Sequence, residues 1–185
     1  MSRSGPRTSR RTPEREVVRT AAAFLEKQGY RVYPNPDRTD YFDLVARRGE
    51  EVGLIEAKVS GSREVLLQAL RRRAWGDWVA VVLPSERSAE RLAERTAGAR
   101  ASRVGVWVAR DDGTVRVVRA AALVSTPGEE DPFSDHRRFF RSVLDRIDSG
   151  ELPPNLRWDG VGRAVRRASG GRGFKEWRLD EPTTE

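Results

Sequence analysis

Two acidic residues and a lysine, Asp43, Glu56 and Lys58, have the types and the spacing of a site that could do chemistry. Two carboxylates directly opposite each other on paired strands repel and destabilise the pairing. A hard divalent cation such as Mg²⁺, which takes one or two carboxylates plus water and substrate phosphate, would convert that repulsion into binding. Lys58 lies two residues beyond Glu56, on the same face of a strand. The alternative is a solvated hairpin whose charges only keep it soluble.

A hairpin must position these groups. Two strands, 41–47 and 51–59, are predicted because both segments are rich in strand-forming residues and Gly49-Glu50 between them suits a tight turn with glycine first. If this pair is the loop, Asp43 lies opposite Glu56 and both side chains point to the same face. The residues of the second strand that face the other way are Ile55, Ala57 and Val59.

A third acidic group is predicted to come from the first helix. This helix should run from an N-cap at Thr12, with proline in its first turn, to about Gln28. Its apolar stripe, extended backwards by one turn, reaches Glu14, whereas Glu16 falls on the opposite side. Glu14 is therefore the better candidate, although the helix dipole alone also favours an acidic residue in a first turn. The stripe consists of Val17, Val18, Ala21, Phe24 and Leu25.

Asp43, the strand residues after it and Glu56-Ala57-Lys58 resemble the D…(D/E)xK signature of the PD-(D/E)XK nuclease superfamily. Residues 13–60 are similar in particular to the archaeal Holliday junction resolvases, which begin with a Glu-Arg-Glu helix like Glu14-Arg15-Glu16. Residues 39–42 replace the usual residue pair before the aspartate, so the proline of the superfamily name is absent. The resemblance covers roughly the first half of the chain.

The resemblance implies a metal-dependent DNA endonuclease that hydrolyses phosphodiester bonds and is structure-selective in the manner of the resolvases, with a role in DNA recombination and repair. Asp43, Glu56 and Glu14 would hold Mg²⁺, for which Mn²⁺ could substitute. Lys58 would orient the attacking water or stabilise the charged transition state. Because the resolvases act as homodimers on branched DNA, the similarity implies a homodimer here, with duplex or branched DNA as its partner.

Four further residues are candidates for DNA contact. Arg15 matches a basic residue of the resolvases, and Arg71 and Arg72 belong to an arginine run on the polar side of a helix predicted at 62–75. Such contacts position the phosphate backbone without reading bases. Gln68 matches a glutamine found on this helix in some nuclease families, but its helical angle places it with the arginines, away from the apolar side.

The remaining pattern predicts an α/β fold. A strand at 30–33, the hairpin, the helix at 62–75 and a continuous apolar strand at 78–83 give the order αβββαβ. That order is the restriction-endonuclease-like core of the nuclease superfamily. A helix at 85–97 and a second hairpin, 104–119, should extend its mixed central sheet.

Four segments are predicted along the chain. Residues 1–11 form a flexible basic arm, residues 12–123 the nuclease-like core, residues 124–133 a linker and residues 134–185 a basic extension and tail. The extension contains predicted helices at 134–149 and 158–168. It either grips DNA or assists dimerisation, or it covers the core with a charged outer side.

Composition limits the classes of function. The 185 residues carry a net charge of +7, which favours an anionic partner such as nucleic acid. The absence of cysteine excludes disulfides, thiolate zinc sites and cysteine nucleophiles, and the single histidine, His136, argues against Ser-His-Asp chemistry. Without a secretory signal or a membrane-spanning apolar run, the sequence predicts a cytoplasmic protein that does not contact membranes.

Two alternatives to the structure-selective nuclease remain open. One is a nuclease-like fold retained as a non-catalytic DNA-binding or regulatory protein. The other is a restriction-type or defence nuclease whose recognition part is the basic C-terminal extension. The intact set of Asp43, Glu56 and Lys58 favours a catalytic protein over a non-catalytic one.

Overall fold

The computed structural model describes residues 13–34, 42–98, 100–123 and 133–152. Within these ranges the chain is an α/β protein with a six-stranded mixed sheet and four α-helices, so the predicted class is confirmed. None of these helices is both long enough and apolar enough to cross a membrane. The predicted basic arm, all of the predicted linker except Phe133, and the helix predicted at 158–168 lie outside the described residues.

The elements begin in the predicted order of helix, three strands, helix and strand. The second hairpin follows and extends the sheet, as predicted. In chain order the elements are α1 Glu14–Lys27, β1 Arg31–Pro34, β2 Leu44–Arg48, β3 Glu51–Ala57, α2 Arg63–Arg72, β4 Trp78–Leu83, α3 Glu86–Arg95, a short 3₁₀ helix Arg100–Arg103, β5 Gly105–Ala109, β6 Val115–Arg119 and α4 Ser134–Asp148.

The strands lie in the sheet in the same order as in the chain. β3, β4 and β5 are parallel to one another, and the remaining neighbours pair antiparallel. Parallel neighbours need a crossover connection, which α2 provides between β3 and β4 and α3 between β4 and β5. All six residues of β4 are buried, as predicted for a central strand.

The β2–β3 hairpin has the predicted register. Arg47 pairs with Val52, and Gly49 and Glu50 form the turn between the strands. Gly49 adopts a φ of 59°, in the left-handed region that a residue without a Cβ enters at little steric cost. The turn therefore fixes which residues of β2 and β3 face each other.

The two faces of the sheet are covered by different helices. α1 packs on one face through Val17, Ala21 and Leu25, which contact a cluster that includes Ile55 and Ala57. α2, α3 and α4 share a cluster on the other face, with buried residues from each helix that include Leu66, Leu92 and Phe140. Burial of each such large apolar side chain stabilises the fold by roughly 1.5–3 kcal/mol.

α4 belongs to this second cluster. Phe140 and Leu144 are fully buried in it, and the hydroxyl of Tyr33 on β1 donates hydrogen bonds to both carboxylate oxygens of Asp148 at 2.8 and 2.9 Å. Arg141 donates from Nη2 to Asp77 Oδ1 at 2.7 Å. Of the alternatives for this segment, a helical cover of the core is the one that describes α4.

Three local predictions need correction. Pro13 is the N-cap of α1, because its backbone is extended at φ −61° and ψ 145°, while Thr12 lies outside the described residues. α2 ends at Arg72 and not at Trp75. The strand predicted at 51–59 ends at Ala57, where its pairing with β4 ends opposite Val82, and Val59 beyond it is 44% exposed.

Candidate active site

The hairpin brings Asp43 beside Glu56 at the end of β3. Leu44 pairs with Ile55 at the start of β2, and the N–H of Asp43, the residue before β2, donates to the carbonyl of Ile55 at 3.1 Å. The side chain of Asp43 is 13% exposed and that of Glu56 is 3% exposed. This pair is therefore largely removed from water, which contradicts the alternative of a solvated hairpin.

Lys58 brings the acidic side chains together. Its Nζ lies 3.0 Å from Glu56 Oε1, 3.7 Å from Asp43 Oδ2 and 3.8 Å from Glu14 Oε1. An ammonium at these distances offsets the mutual repulsion of the carboxylates. The lysine follows the last residue of β3, and its backbone N–H donates to the carbonyl of Val82 on β4 at 3.0 Å. The cluster thus lies at the C-terminal end of two parallel strands.

Glu14 approaches this cluster from the face of the sheet that α1 covers. It is in the first turn of α1, the helix that packs on the face opposite α2, and it reaches Lys58 beyond the end of β3. The prediction that Glu14 lies near the acidic pair agrees with this placement. Glu16 is two residues further along and points about 200° away around the helix axis.

Arg72 lies inside the site, which corrects the prediction of an outer, polar position. Its Nη1 forms an ion pair with Glu56 Oε2, its side chain is 12% exposed, and its Cζ lies 5.5 Å from the ring centroid of Phe42. Helical spacing explains the position, because Val65, Ala69 and Arg72 follow the i, i+4, i+7 pattern of one face, and the first two are buried. Because Arg71, Arg72 and Arg73 are consecutive, the sequence does not distinguish the one that faces inward from the ones that face solvent.

The other three predicted DNA contacts have different surroundings. Arg15 and Arg71 are exposed, which leaves their guanidinium groups accessible to an anion. Gln68 lies one helical turn before Arg72 and is half-buried. Its Oε1 is shielded from solvent and has no hydrogen-bond partner within the described ranges. The amide of Gln68 is therefore directed inward, contrary to the angle inferred from the sequence.

The donor chemistry of the cluster fits a divalent cation. Asp43, Glu56 and Glu14 supply only carboxylate oxygens, the ligands that Mg²⁺ prefers. As the side chains are placed, however, no three acidic, histidine or cysteine residues in the described part of the chain converge closely enough to hold an ion. In this arrangement Lys58 Nζ lies 3.0 Å from Glu56 Oε1, and Arg72 forms an ion pair with the second oxygen of Glu56.

The comparisons with known proteins provide no relative from which a function could be transferred. No protein-family model, curated protein or solved structure matches the chain. The resemblance to PD-(D/E)XK nucleases therefore remains a prediction. A function must be inferred from the residues that meet at the end of β3.

A second charged cluster lies at the turn end of the hairpin and has a structural role. Glu51 Oε1 accepts hydrogen bonds from the hydroxyl of Tyr30 at 2.6 Å and from Nε1 of Trp78 at 2.7 Å, and Arg48 Nη2 lies 3.1 Å from its Oε2. Burial and the hydrogen bond to Glu51 raise the pKa of Tyr30 to about 12. Burial pushes the pKa of Glu51 up, but the hydrogen bonds from Tyr30, Trp78 and Arg48 outweigh it, so its pKa is lowered.

Proposed function

We propose that this chain is a metal-dependent DNA endonuclease that hydrolyses phosphodiester bonds, with Mg²⁺ or Mn²⁺ as its cofactor. The observation that carries the proposal is the convergence of Glu14, Asp43 and Glu56 on Lys58 Nζ at 3.0 to 3.8 Å. Three acids and a lysine come from one helix end and two strand ends and are largely shielded from water, a geometry that surface charges placed only for solubility would not need.

Hydrolysis of a phosphodiester requires a nucleophilic water in line with the leaving oxygen and neutralisation of the charge that develops there. A divalent cation held by Asp43 and Glu56, with Glu14 bound directly or through water, would supply both by acidifying water and polarising the phosphoryl oxygen. Lys58 would orient the attacking water or stabilise the negative charge of the transition state. Glu56 is fixed by burial at the strand end, so its oxygens are presented in one direction.

The anionic substrate is supported by charge and exposure. The chain carries a net charge of +7, and exposed Arg15 and Arg71 are available to contact the phosphate backbone. The similarity to the resolvases adds the finer parts of the proposal, which are a restriction-endonuclease-like fold, structure-selective action on branched DNA and a homodimer as the active form.

A second candidate function is a non-catalytic DNA-binding or regulatory protein with a nuclease-like fold. The observation that favours it is the ion pair between Glu56 and Arg72, because it provides the buried carboxylate with a cationic partner from the chain itself. In that case the cluster would serve only to hold α2 against the end of β3.

Cleavage assays on defined DNA substrates distinguish the two functions. The purified protein is incubated with linear duplex, flap and four-way junction DNA, with and without Mg²⁺ or Mn²⁺. We expect cleavage only with metal, and a decrease of about 10²–10³-fold in Lys58→Ala, because the variant loses a transition-state donor. Lys27→Ala is the matched control, since Lys27 is exposed at the last turn of α1 and should leave the rate unchanged.

The outcomes separate the alternatives. Binding of DNA without cleavage by the wild type would favour the non-catalytic protein. Metal-dependent cleavage that persists in Lys58→Ala would remove Lys58 from its assigned role. A wild type that neither binds nor cleaves any of the three DNA substrates would contradict both functions.

A further inference from the structure

Both oxygens of Glu56 are engaged by basic groups of the chain itself. Oε1 lies 3.0 Å from Lys58 Nζ, and Oε2 forms an ion pair with Nη1 of Arg72. The side chains of Glu56 and Arg72 are only 3% and 12% exposed, so solvent screens their attraction weakly. A divalent cation therefore has to compete with these two basic groups for the oxygens of Glu56.

Arg72 is the group that can move. It is the last residue of α2, and its long side chain can change rotamer without breaking a strand. Lys58 is held in the site, because its Nζ lies within 3.8 Å of a carboxylate oxygen of Glu14, Asp43 and Glu56. A guanidinium is also well suited to a phosphate, which it can bind through two parallel hydrogen bonds. The DNA backbone thus offers Arg72 an alternative anionic partner.

The charges of the cluster agree with such an exchange. With Arg72 in place, the three carboxylates of Glu14, Asp43 and Glu56 face two basic groups, which leaves one negative charge in excess. When Arg72 turns away, only Lys58 remains and the excess rises to two. That charge matches a divalent cation, so departure of the arginine prepares the site for a metal.

We propose that Arg72 competes with the divalent cation for Glu56 and that DNA relieves the competition. In the free protein Arg72 pairs with Glu56 and keeps the affinity for metal low. When DNA binds, a backbone phosphate takes the guanidinium and Glu56 becomes available to the metal. DNA and metal therefore bind with positive coupling, which confines hydrolytic chemistry to the DNA-bound protein. This inference rests on the proposed nuclease function, which supplies the metal and the DNA.

Calorimetric titration of the full chain with Mn²⁺ in the absence of DNA tests the competition. We expect Arg72→Gln to bind Mn²⁺ about tenfold more tightly than the wild type, within the range typical of coupling between two sites. Arg71→Gln is the matched control, because it removes the same charge from the adjacent, exposed residue of the same helix. It should change the affinity for Mn²⁺ by less than about twofold, as expected for a screened surface charge.

The coupling is measured by fluorescence anisotropy of a labelled linear duplex with and without Ca²⁺, which takes the same kind of oxygen ligands. We expect Ca²⁺ to tighten DNA binding severalfold in the wild type and to have a smaller effect in Arg72→Gln, where Glu56 is already available. In Arg71→Gln we expect a lower affinity for DNA with and without Ca²⁺, because a phosphate contact is lost, but the ratio of the two affinities should equal that of the wild type.

Each result decides between distinct conclusions. Equal Mn²⁺ affinity in wild type and Arg72→Gln, or weaker binding in the variant, would overturn the competition and leave the nuclease proposal standing. Absence of Mn²⁺ binding in every variant would overturn the metal site and the nuclease function with it.

Circular dichroism checks that Arg72→Gln is folded. If it is not, Arg72→Lys should bind Mn²⁺ more tightly than the wild type, because lysine makes fewer contacts to a carboxylate, and unchanged affinity in that variant also overturns the proposal.

Discussion

Asp43 Oδ2 accepts a hydrogen bond from the backbone N–H of Ala57 at 2.7 Å. The bond connects the residue before β2 to the last residue of β3, beside Glu56 on one side and Lys58 on the other. Asp43 therefore has two roles, one in holding the hairpin end together and one in the proposed metal site. Substitutions that differ in hydrogen-bonding capacity separate the two roles.

Asp43→Asn should abolish cleavage and preserve the fold, because the amide oxygen can still accept from Ala57 while the charge is lost. Asp43→Ala removes the acceptor and leaves the N–H of Ala57 without it, which should lower the free energy of unfolding by about 1–3 kcal/mol. Urea unfolding and a cleavage assay on both variants provide the comparison. Equal stability of Asp43→Asn and Asp43→Ala would show that the hydrogen bond has no structural role.

Glu14→Gln should reduce metal-dependent cleavage by about tenfold or more, the size of effect typical when a group that supports a metal site is changed. The reason is its position 3.8 Å from Lys58, beside the two other carboxylates. Glu16→Gln removes the same charge from the same helical turn on the opposite side and should leave the rate within about twofold. Rates are compared at several Mg²⁺ concentrations. A similar decrease in both variants would indicate a general effect of helix charge.

Phe140→Ala should lower the free energy of unfolding by about 3–5 kcal/mol, because it creates a cavity in the cluster shared by α2, α3 and α4. Phe139→Ala is the control, since Phe139 is only partly buried and packs at the edge of the same cluster. Phe139→Ala should lower the free energy of unfolding by clearly less than Phe140→Ala does. Chemical denaturation of both variants, followed by tryptophan fluorescence, measures the difference. A small effect of Phe140→Ala would mean that α4 does not contribute to the core in solution.

Acidification should weaken the hairpin through Glu51. Its pKa in the folded chain lies below the ordinary value of a glutamate, so the ionised carboxylate stabilises the folded state at pH values above that ordinary value. This contribution is lost as the pH falls through the lowered pKa, when Tyr30 and Trp78 lose an ionised acceptor. Glu51→Gln should therefore be less stable than the wild type at pH 6, and the difference should shrink at lower pH. Urea unfolding as a function of pH measures the difference in the free energy of unfolding between the wild type and Glu51→Gln. A difference that grows on acidification would contradict this role.

The hairpin and its acidic pair were predictable because their determinants are local. The alternation along a strand and the two-residue turn at Gly49 and Glu50 were enough to place Asp43 beside Glu56, and β4 was evident from its apolar run. The position of Arg72 was not recognised, although its spacing from Val65 places it on the buried face. A charged residue at the end of an amphipathic helix can lie on either side of the polar boundary, and only the carboxylate facing it decides the outcome.

The place of α4 depends on contacts that local patterns do not contain. Its amphipathic sequence predicts a helix, but not the surface that the apolar side covers. That surface is defined in part by Tyr33 and Asp148, which are 115 residues apart in the chain and meet only after the sheet has formed. The ring contact of Phe42 with Phe140, at 5.7 Å between centroids, is another such pairing.

The short turn at Gly49 and Glu50 makes the acidic pair sensitive to insertion mutations during evolution. If the two-residue loop were kept and Gly49 joined β2, insertion of a single codon there would shift β2 by one residue against β3 and turn its side chains to the opposite face. Asp43 would then point toward α1, and an apolar leucine, Leu44, would take its place beside Glu56. Loss of the acidic pair would thus follow from a mutation that leaves each of its members unaltered, so the spacing between the two acids is as much a part of the motif as their identity.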